Sequence, residues 1–350
     1  MEHASEKYNT VTISAIKEET YGVKTFTLAT ADGAPLPYAA GQFITFVFNH
    51  HGREERRSFS LSSNPLGNEQ PCITVKRVDN GIYSRFLHDK AKVGDQLRTT
   101  GTAGLFVFPR NVSAFRQVFF FAAGIGITPV LPLIKALLQS SPGVQAVLIY
   151  SNVSPAEVVF KSEIDLLAAN HAHNFKVEYL YSSSFNLSRA RLSKQLLPVL
   201  MQEYITGEKE QLLCYTCGPY AYMRMVVYAL EEYGIPHDQI RRENFNTVVK
   251  PNIVALPPDK DAHRVTILHS GEKHELVCQY PDTILKAAKK GGLNLPYSCE
   301  TGRCGSCAAR CISGKVWLSY NEVLPDMDLR HGSILTCTGY PVGGDVVIEA

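Results

Sequence analysis

The sequence has no appreciable surplus of either charge: 35 Lys and Arg face 33 Asp and Glu, a formal net charge of +2. So balanced a chain exerts no bulk attraction on nucleic acid or an anionic membrane, which disfavours functions resting on that attraction. It also lacks an uninterrupted apolar run of membrane-spanning length. The uncharged, mostly apolar stretch Gln117 to Ile134 is broken by Gly124, Gly126, Pro129 and Pro132. It reads as a buried strand, a glycine turn and a helix. The start, Met-Glu-His-Ala-Ser-Glu-Lys, has no apolar segment of the signal-peptide kind, so a cytoplasmic location with reduced thiols is expected. Internal repeats and low-complexity tracts are missing too. With 45% hydrophobic and 19% charged residues the disorder signature is absent, and 350 residues exceed one compact core. Two or three globular domains are expected.

Three changes of pattern divide the chain. Up to about residue 112, short strand-like runs such as Phe43 to Phe48 and Ile73 to Val78 alternate with Gly, Pro and Asn-Gly turns, the rhythm of an antiparallel barrel. Residues 113–245 change to apolar strands followed by helical segments: Val118 to Ala122 then Val130 to Leu138, Ala146 to Tyr150 then Ser162 to Ala169, then Val177 to Tyr181. Such alternation predicts an α/β domain with a parallel sheet. Residues 246–262 carry three prolines and no helical period, and read as a linker. The remaining residues, 263–350, form a separate unit with strand-like Val265 to Leu268 and Glu275 to Gln279.

That last unit holds most of the nine cysteines. Cys299-Glu-Thr-Gly-Arg-Cys304-Gly-Ser-Cys307 spells C-x4-C-x2-C, and Cys337 follows after twenty-nine residues. Thiolates are the soft anionic donors that iron and sulfide require, and this is the spacing of a plant-type 2Fe–2S site. Gly302 and Gly305 leave room for the backbone to direct N–H groups at sulfur. A four-cysteine zinc site is the alternative, although zinc ribbons present paired C-x2-C knuckles. Cys72, Cys214, Cys278 and Cys311 read as small buried thiols. Leu295 to Cys307 and Leu335-Thr-Cys-Thr-Gly-Tyr-Pro resemble the two cluster-binding segments of plant-type ferredoxins, which implies an α+β, β-grasp domain binding the cluster through Cys299, Cys304, Cys307 and Cys337.

Arg57-Ser58-Phe59-Ser60-Leu-Ser-Ser63 sets a guanidinium, the natural bidentate partner of phosphate, beside a flat aromatic ring. Downstream come Gly81-Ile-Tyr83-Ser84, then Gly124-Ile-Gly126-Ile-Thr128-Pro129 opening a helix, then Tyr215-Thr-Cys217-Gly218-Pro219, then Glu243-Asn-Phe245. In this order the segments resemble the ferredoxin-NADP reductase family, here fused to a ferredoxin. The resemblance implies that Arg57 pairs with the flavin pyrophosphate, that Ser58 belongs to the same flavin-binding segment, that Phe59 stacks on the flavin in place of a tyrosine, and that Ser60 lies near its N5. Gly81, Tyr83 and Ser84 would form a second pyrophosphate segment at a helix start. Gly124, Gly126, Thr128 and Pro129, with the proline at the first helical position, would take the nicotinamide cofactor's pyrophosphate. Cys217, with Gly218 and Pro219, would sit beside the nicotinamide as a positioning residue, with Glu243 and Phe245 completing the hydride-transfer site.

The implied cofactors are FAD, with FMN second, a 2Fe–2S cluster, and NADPH or NADH. Arg189 and Arg191 are expected to bind a 2′-phosphate, which favours NADPH, although Val153 stands where many NADPH-using relatives have arginine. The resemblance is strongest to the reductase components serving phenylacetyl-CoA epoxidase and related oxygenases. It implies an oxygenase as electron acceptor, with a diiron one acting on an acyl-CoA ring as the first reading; a desaturase, a Rieske oxygenase and a steroid hydroxylase share the chemistry. Residues 263–350 carry nine basic and nine acidic side chains. Docking is therefore expected through a small patch around Glu300 to Ser306, with Arg303 touching the acceptor. A zinc-stapled or redox-sensing binding module is the non-enzymatic alternative, and it would need neither Arg57 nor the Gly124 turn.

Overall fold

The structure, a computed structural model, describes residues 8–30, 33–245 and 256–350. Most of the expected linker, 246–255, lies outside the described residues. These form two compact units, and none of their helices is long and apolar enough to cross a membrane.

The first unit opens with an antiparallel barrel. Its strands are β1 (Asn9–Thr20), β2 (Val23–Thr30), β3 (Phe43–His50), β4 (Arg53–Ser60) and β5 (Cys72–Lys76), followed by helix α1 (Ile82–Asp89) and β6 (Gln96–Ala103). The sheet runs β4-β3-β6-β1-β2-β5, and a Leu61–Ile73 bridge joins its two ends. Period-two alternation turns Ile13, Phe26, Ile44 and Phe46 inward, all fully buried.

A parallel sheet follows. Its elements are β7 (Gln117–Ala123), α2 (Ile127–Ser140), β8 (Gln145–Asn152), α3 (Lys161–Asn170), β9 (Phe175–Tyr181), α4 (Leu196–Tyr204), β10 (Leu212–Cys217), α5 (Tyr220–Tyr233) and β11 (Ile240–Glu243). The order is β11-β10-β7-β8-β9. Its central strand shows why the apolar run at Gln117 is unbroken. Phe120 packs with Val130 and Leu131 of α2 on one face, while Phe119 and Phe121 pack with Leu197 of α4 and Val226 of α5 on the other. A strand covered on both faces has no polar side to display, and each buried Phe contributes about 1.5–3 kcal/mol.

The barrel and the parallel sheet are fastened by a buried cation. Lys135 of α2, with only 11% of its side chain exposed, reaches Glu69 in the β4–β5 connection at 2.9 Å and also pairs with Glu163 of α3. Burial opposes its charge, but the two carboxylates outweigh that penalty and hold it protonated. Alongside, Asn64 donates to Gln139 at 3.2 Å.

The second unit contains β12 (His263–His269), β13 (Glu272–Cys278), α6 (Ile284–Lys290), β14 (Ala308–Ser313), β15 (Val316–Leu318), α7 (Asp326–Arg330), β16 (Ser333–Leu335), β17 (Gly339–Pro341) and β18 (Val346–Glu349). Five strands form a mixed sheet, β13-β12-β18-β14-β16, beside a β15–β17 ribbon. The first and last strands, β12 and β18, are parallel neighbours, and α6 packs Ile284, Leu285 and Ala288 into the same core as Val265 and Ile348. This is the β-grasp arrangement. Thr283 caps α6 by accepting from the Lys286 amide at 3.3 Å. Asp259 anchors the entry to β12, accepting from the Gly343 amide at 2.7 Å and pairing with His263 at 2.7 Å.

Candidate functional site

Alternation along β4 sorts the flavin candidates into two faces. Arg57 projects beside Tyr83, a buried residue in the first turn of α1, with the guanidinium carbon 4.8 Å from the ring centroid. The same guanidinium holds the Glu55 carboxylate at 2.8 Å. Glu55 was not among the sequence candidates, although its i, i+2 relation to Arg57 on a strand was the available signal. Phe59 lies 5.9 Å from Phe46 and is half-buried, whereas Ser58 on the other face bonds Thr45 at 2.9 Å. Ser84 is engaged locally: its hydroxyl accepts from the Val78 amide and donates to the Gly81 carbonyl, each at 3.2 Å. A Cβ at Gly81 would come within 2.3 Å of that hydroxyl, so a larger residue there would displace Ser84 from these bonds.

The nicotinamide candidates gather at the carboxy-terminal ends of three neighbouring strands. Register pairs Cys217 of β10 with Ala122 of β7 and with Glu243 of β11. Gly124 turns the chain at φ +52°, and Gly126 then passes so close to β10 that a Cβ would meet the Cys217 carbonyl oxygen at 2.2 Å. Gly218 is crowded likewise, its Cβ position lying 2.9 Å from Ala123 Cβ. Helix α2 starts at Ile127, which makes Pro129 the third helical residue and not the first. Proline is tolerated there for the same reason, since none of the first four amides has an intrahelical acceptor. Thr128 donates to the Ile125 carbonyl at 3.0 Å and stabilises the turn. Pro219 is the amino-terminal cap of α5.

One contact joins the two groups. Ser60, at the end of β4, donates to Glu243 Oε1 at 3.3 Å, although 183 positions separate them. Glu243 as a whole is half-buried, but its Oε2 is shut off from solvent and has no hydrogen-bond partner. Burial pushes this carboxyl up to about 8, opposed by the Ser60 bond. Burial, reinforced by Glu243, also holds the Cys217 thiol well above its usual range. Cys217 is therefore a neutral thiol, suited to positioning and not to nucleophilic attack. Phe245 stays 42% exposed immediately beyond Asn244.

Glu243→Gln should test this directly. A carboxyl whose folded pKa is raised from 4.5 to about 8 makes its full contribution to stability below the unfolded value and loses it as pH rises through the folded one. The glutamine variant carries no such loss. Its stability advantage, read from the thermal midpoint, should grow between pH 4.5 and about 8 and level off above, with a ceiling on the order of 5 kcal/mol. A constant difference across that range would contradict the buried neutral carboxyl.

The arginines expected at a 2′-phosphate diverge. Arg189 is held by Glu178 at 3.2 Å and Glu203 at 2.8 Å, and both carboxylates raise its pKa. Its charge is thus already compensated within the protein. Arg191 is exposed.

In the second unit the four cysteines of the C-x4-C-x2-C…C pattern come together as two pairs. The Cys304 thiol bonds to Cys299, which is drawn down to about 5 while Cys304 is pushed up. Cys337 bonds to Cys307, drawing it down in turn. Two pairs suit a dinuclear cluster with two cysteines per iron, and among the described residues no three His, Cys, Asp or Glu side chains gather for a single ion. Backbone amides address the sulfurs: Thr301 N–H points at Cys299 Sγ at 3.4 Å and Ser306 N–H at Cys304 Sγ at 3.5 Å. Gly302 sits at φ +75°, and its Cβ position is only 2.8 Å from the Tyr320 carbonyl oxygen.

Two expectations change here. Arg303, expected to touch an acceptor, has only 9% of its side chain exposed and pairs internally with Glu322 at 2.8 Å. Of the four thiols expected to be small and buried, Cys214 and Cys278 are, whereas Cys72 and Cys311 are half-buried; Cys72 opens an end strand of its sheet and Cys311 lies beside the turn at Ser313 and Gly314.

Comparison with known proteins places these sites in company. The chain matches the Oxidoreductase FAD-binding domain over residues 10–108, the Oxidoreductase NAD-binding domain over 120–228, and the 2Fe-2S iron-sulfur cluster binding domain over 267–342. It is 31% identical to the 3-ketosteroid-9-alpha-monooxygenase ferredoxin reductase component of Rhodococcus rhodochrous, over 97% of this chain and 96% of that one. It is 28% identical to one of the subunits of the 1,2-phenylacetyl-CoA epoxidase of Escherichia coli K12, over 98% and 97%. Phthalate dioxygenase reductase shares the fold, with a TM-score of 0.58, 23% identity and 98% coverage of both chains.

Proposed function

Because the chain belongs to the family of ferredoxin reductase components of oxygenases, with FAD-binding, NAD-binding and 2Fe–2S domains in one polypeptide, we propose that it carries electrons from NADH to an oxygenase component through the residues described above. The observation that carries the reading is the Ser60–Glu243 hydrogen bond, in which a barrel residue meets the end of β11 beside its register partner Cys217 at the end of β10. When bound, the nicotinamide supplies a hydride, the flavin divides that electron pair and the cluster passes single electrons onward. Arg57 and Tyr83 would hold the flavin, with Arg57 a charge partner for phosphate. Gly124 and Gly126 would admit a second pyrophosphate to the start of α2. Glu243, neutral at physiological pH, would keep a proton at the junction and place no negative charge beside the incoming hydride. Cys299, Cys304, Cys307 and Cys337 would ligate the cluster. A cytoplasmic location belongs to the same proposal, since free thiolates need a reducing compartment.

NADH is the donor we infer, against the expectation drawn from Arg189 and Arg191. Support comes from Arg189, whose charge is compensated by Glu178 and Glu203, and from Val153 just past the end of β8. Steady-state kinetics should give a kcat/KM for NADH at least about tenfold above that for NADPH, the equivalent of roughly 1.4 kcal/mol. Equal or better use of NADPH would contradict it.

Arg57→Ala should weaken flavin retention by roughly 1.5–3 kcal/mol, the loss of one charge-assisted hydrogen bond. Flavin content after exhaustive dialysis checks this, and undiminished occupancy would count against the role.

The acceptor we propose is an oxygenase component, with a diiron enzyme acting on an acyl-CoA ring as the first choice. The steroid reading is kept because the Rhodococcus reductase is similar along its full length. Reconstitution of NADH-driven oxygenation with one enzyme of each class decides. Failure with every oxygenase while cluster reduction stays fast would defeat the assignment.

A further inference from the structure

We propose that Arg303 and Glu322 are a buried charge couple whose two members pull the reduction potential of the cluster held by Cys299, Cys304, Cys307 and Cys337 in opposite directions, each compensating the other, an inference that rests on the cluster assignment above. Arg303 directly precedes Cys304 in the chain. Its side chain is 9% exposed and that of Glu322 6% exposed, with 2.8 Å between Nε and Oε2. Tyr320 closes the arrangement: its hydroxyl donates to Glu322 Oε2 at 2.7 Å, and its ring lies 5.6 Å from the Arg303 guanidinium carbon. The backbone fixes the couple to the cysteine loop, since the Glu322 amide donates to the Gly302 carbonyl at 3.0 Å. Gly302 is itself pressed against the Tyr320 carbonyl.

Stability alone is a poor account of this couple. Two buried charges lose hydration that their mutual attraction only partly restores, and well-packed apolar residues of similar volume usually serve a fold equally well. A redox centre is different, because its own charge changes. Reduction adds one electron, delivered from the flavin, and makes the cluster more negative by one unit, with no bond formed or broken. A cation beside the loop favours that reduced state and an anion opposes it. Neither is strongly screened when held away from water, and local charge and solvent exposure are among the determinants of cluster potential. The couple therefore balances two opposing effects.

The test is a potentiometric titration of the full-length, cofactor-loaded protein, followed by the electron paramagnetic resonance of the reduced cluster. Glu322→Gln leaves the Arg303 charge uncompensated and should raise the midpoint potential. Arg303→Met leaves the Glu322 charge uncompensated and should lower it. The double variant should return close to the parent, and Arg303→Lys, which keeps the charge, should stay close to it. Opposite signs are the diagnostic result, because looser packing would move both single variants alike. Shifts of the same sign, no shift in either, or loss of the cluster from both single variants would overturn the proposal. If only one of them retains its cluster, the sign of that shift decides. A parent without a 2Fe–2S spectrum would instead defeat the cluster assignment, and that spectrum is recorded before any variant is titrated.

Discussion

Cys304→Ser should abolish the visible absorbance and the paramagnetic signal of the 2Fe–2S cluster, while NADH-driven reduction of ferricyanide stays largely intact. Cys304 is one member of the Cys299–Cys304 pair, and its loop is held by Gly302 at positive φ and by the Ser306 amide. A serine hydroxyl is a harder donor with a far higher pKa, so the soft thiolate that iron and sulfide require is lost. The residues assigned to flavin and nicotinamide belong to the other compact unit. Ferricyanide takes electrons from flavin directly, so this activity should survive, whereas electron delivery to an oxygenase should fall to background. Loss of both activities together would show that the two units do not work as separable modules.

Gly126→Ala should raise the KM for NADH by at least about tenfold, the equivalent of roughly 1.4 kcal/mol, and lower the thermal midpoint. Gly126 has an ordinary helical φ of −62°, so the new methyl brings no backbone strain. The obstacle is steric. Its Cβ would lie 2.2 Å from the Cys217 carbonyl oxygen, 2.5 Å from the carbonyl carbon and 2.8 Å from the Gly218 amide nitrogen. All three are backbone atoms, which have no rotamer by which to withdraw, so α2 and the end of β10 must separate. Overpacking of this kind typically costs about 1–3 kcal/mol, and here the displaced atoms belong to the proposed nucleotide site. Gly124→Ala provides the contrast. That position has open space around its Cβ but a φ of +52°, so only the left-handed backbone penalty of about 1–2 kcal/mol applies. A KM for NADH as low in Gly126→Ala as in the parent would remove the close approach from the argument.

What the sequence determined by itself was whatever neighbouring residues settle together. Phe119 to Phe121 could only be a strand covered on both faces, because no polar position interrupts it. Cys299, Cys304 and Cys307 prescribed their chemistry through donor softness and spacing, and the two glycine-containing turns marked where the backbone had to bend or be approached. The linear order of barrel, parallel sheet and ferredoxin unit was legible for the same reason. Tertiary structure alone decided which charges remain free. Arg189 and Arg303 look alike in sequence to any solvated arginine, yet one is held by Glu178 and Glu203 and the other is buried against Glu322. Ser60 and Glu243 meet across 183 positions, and the desolvation at that junction, which outweighs the Ser60 bond, keeps a carboxyl protonated where its residue type would predict an anion. Residue type prescribes which interactions a side chain can make. Its solvation and its partners, which set its charge, come from parts of the chain that only folding brings near.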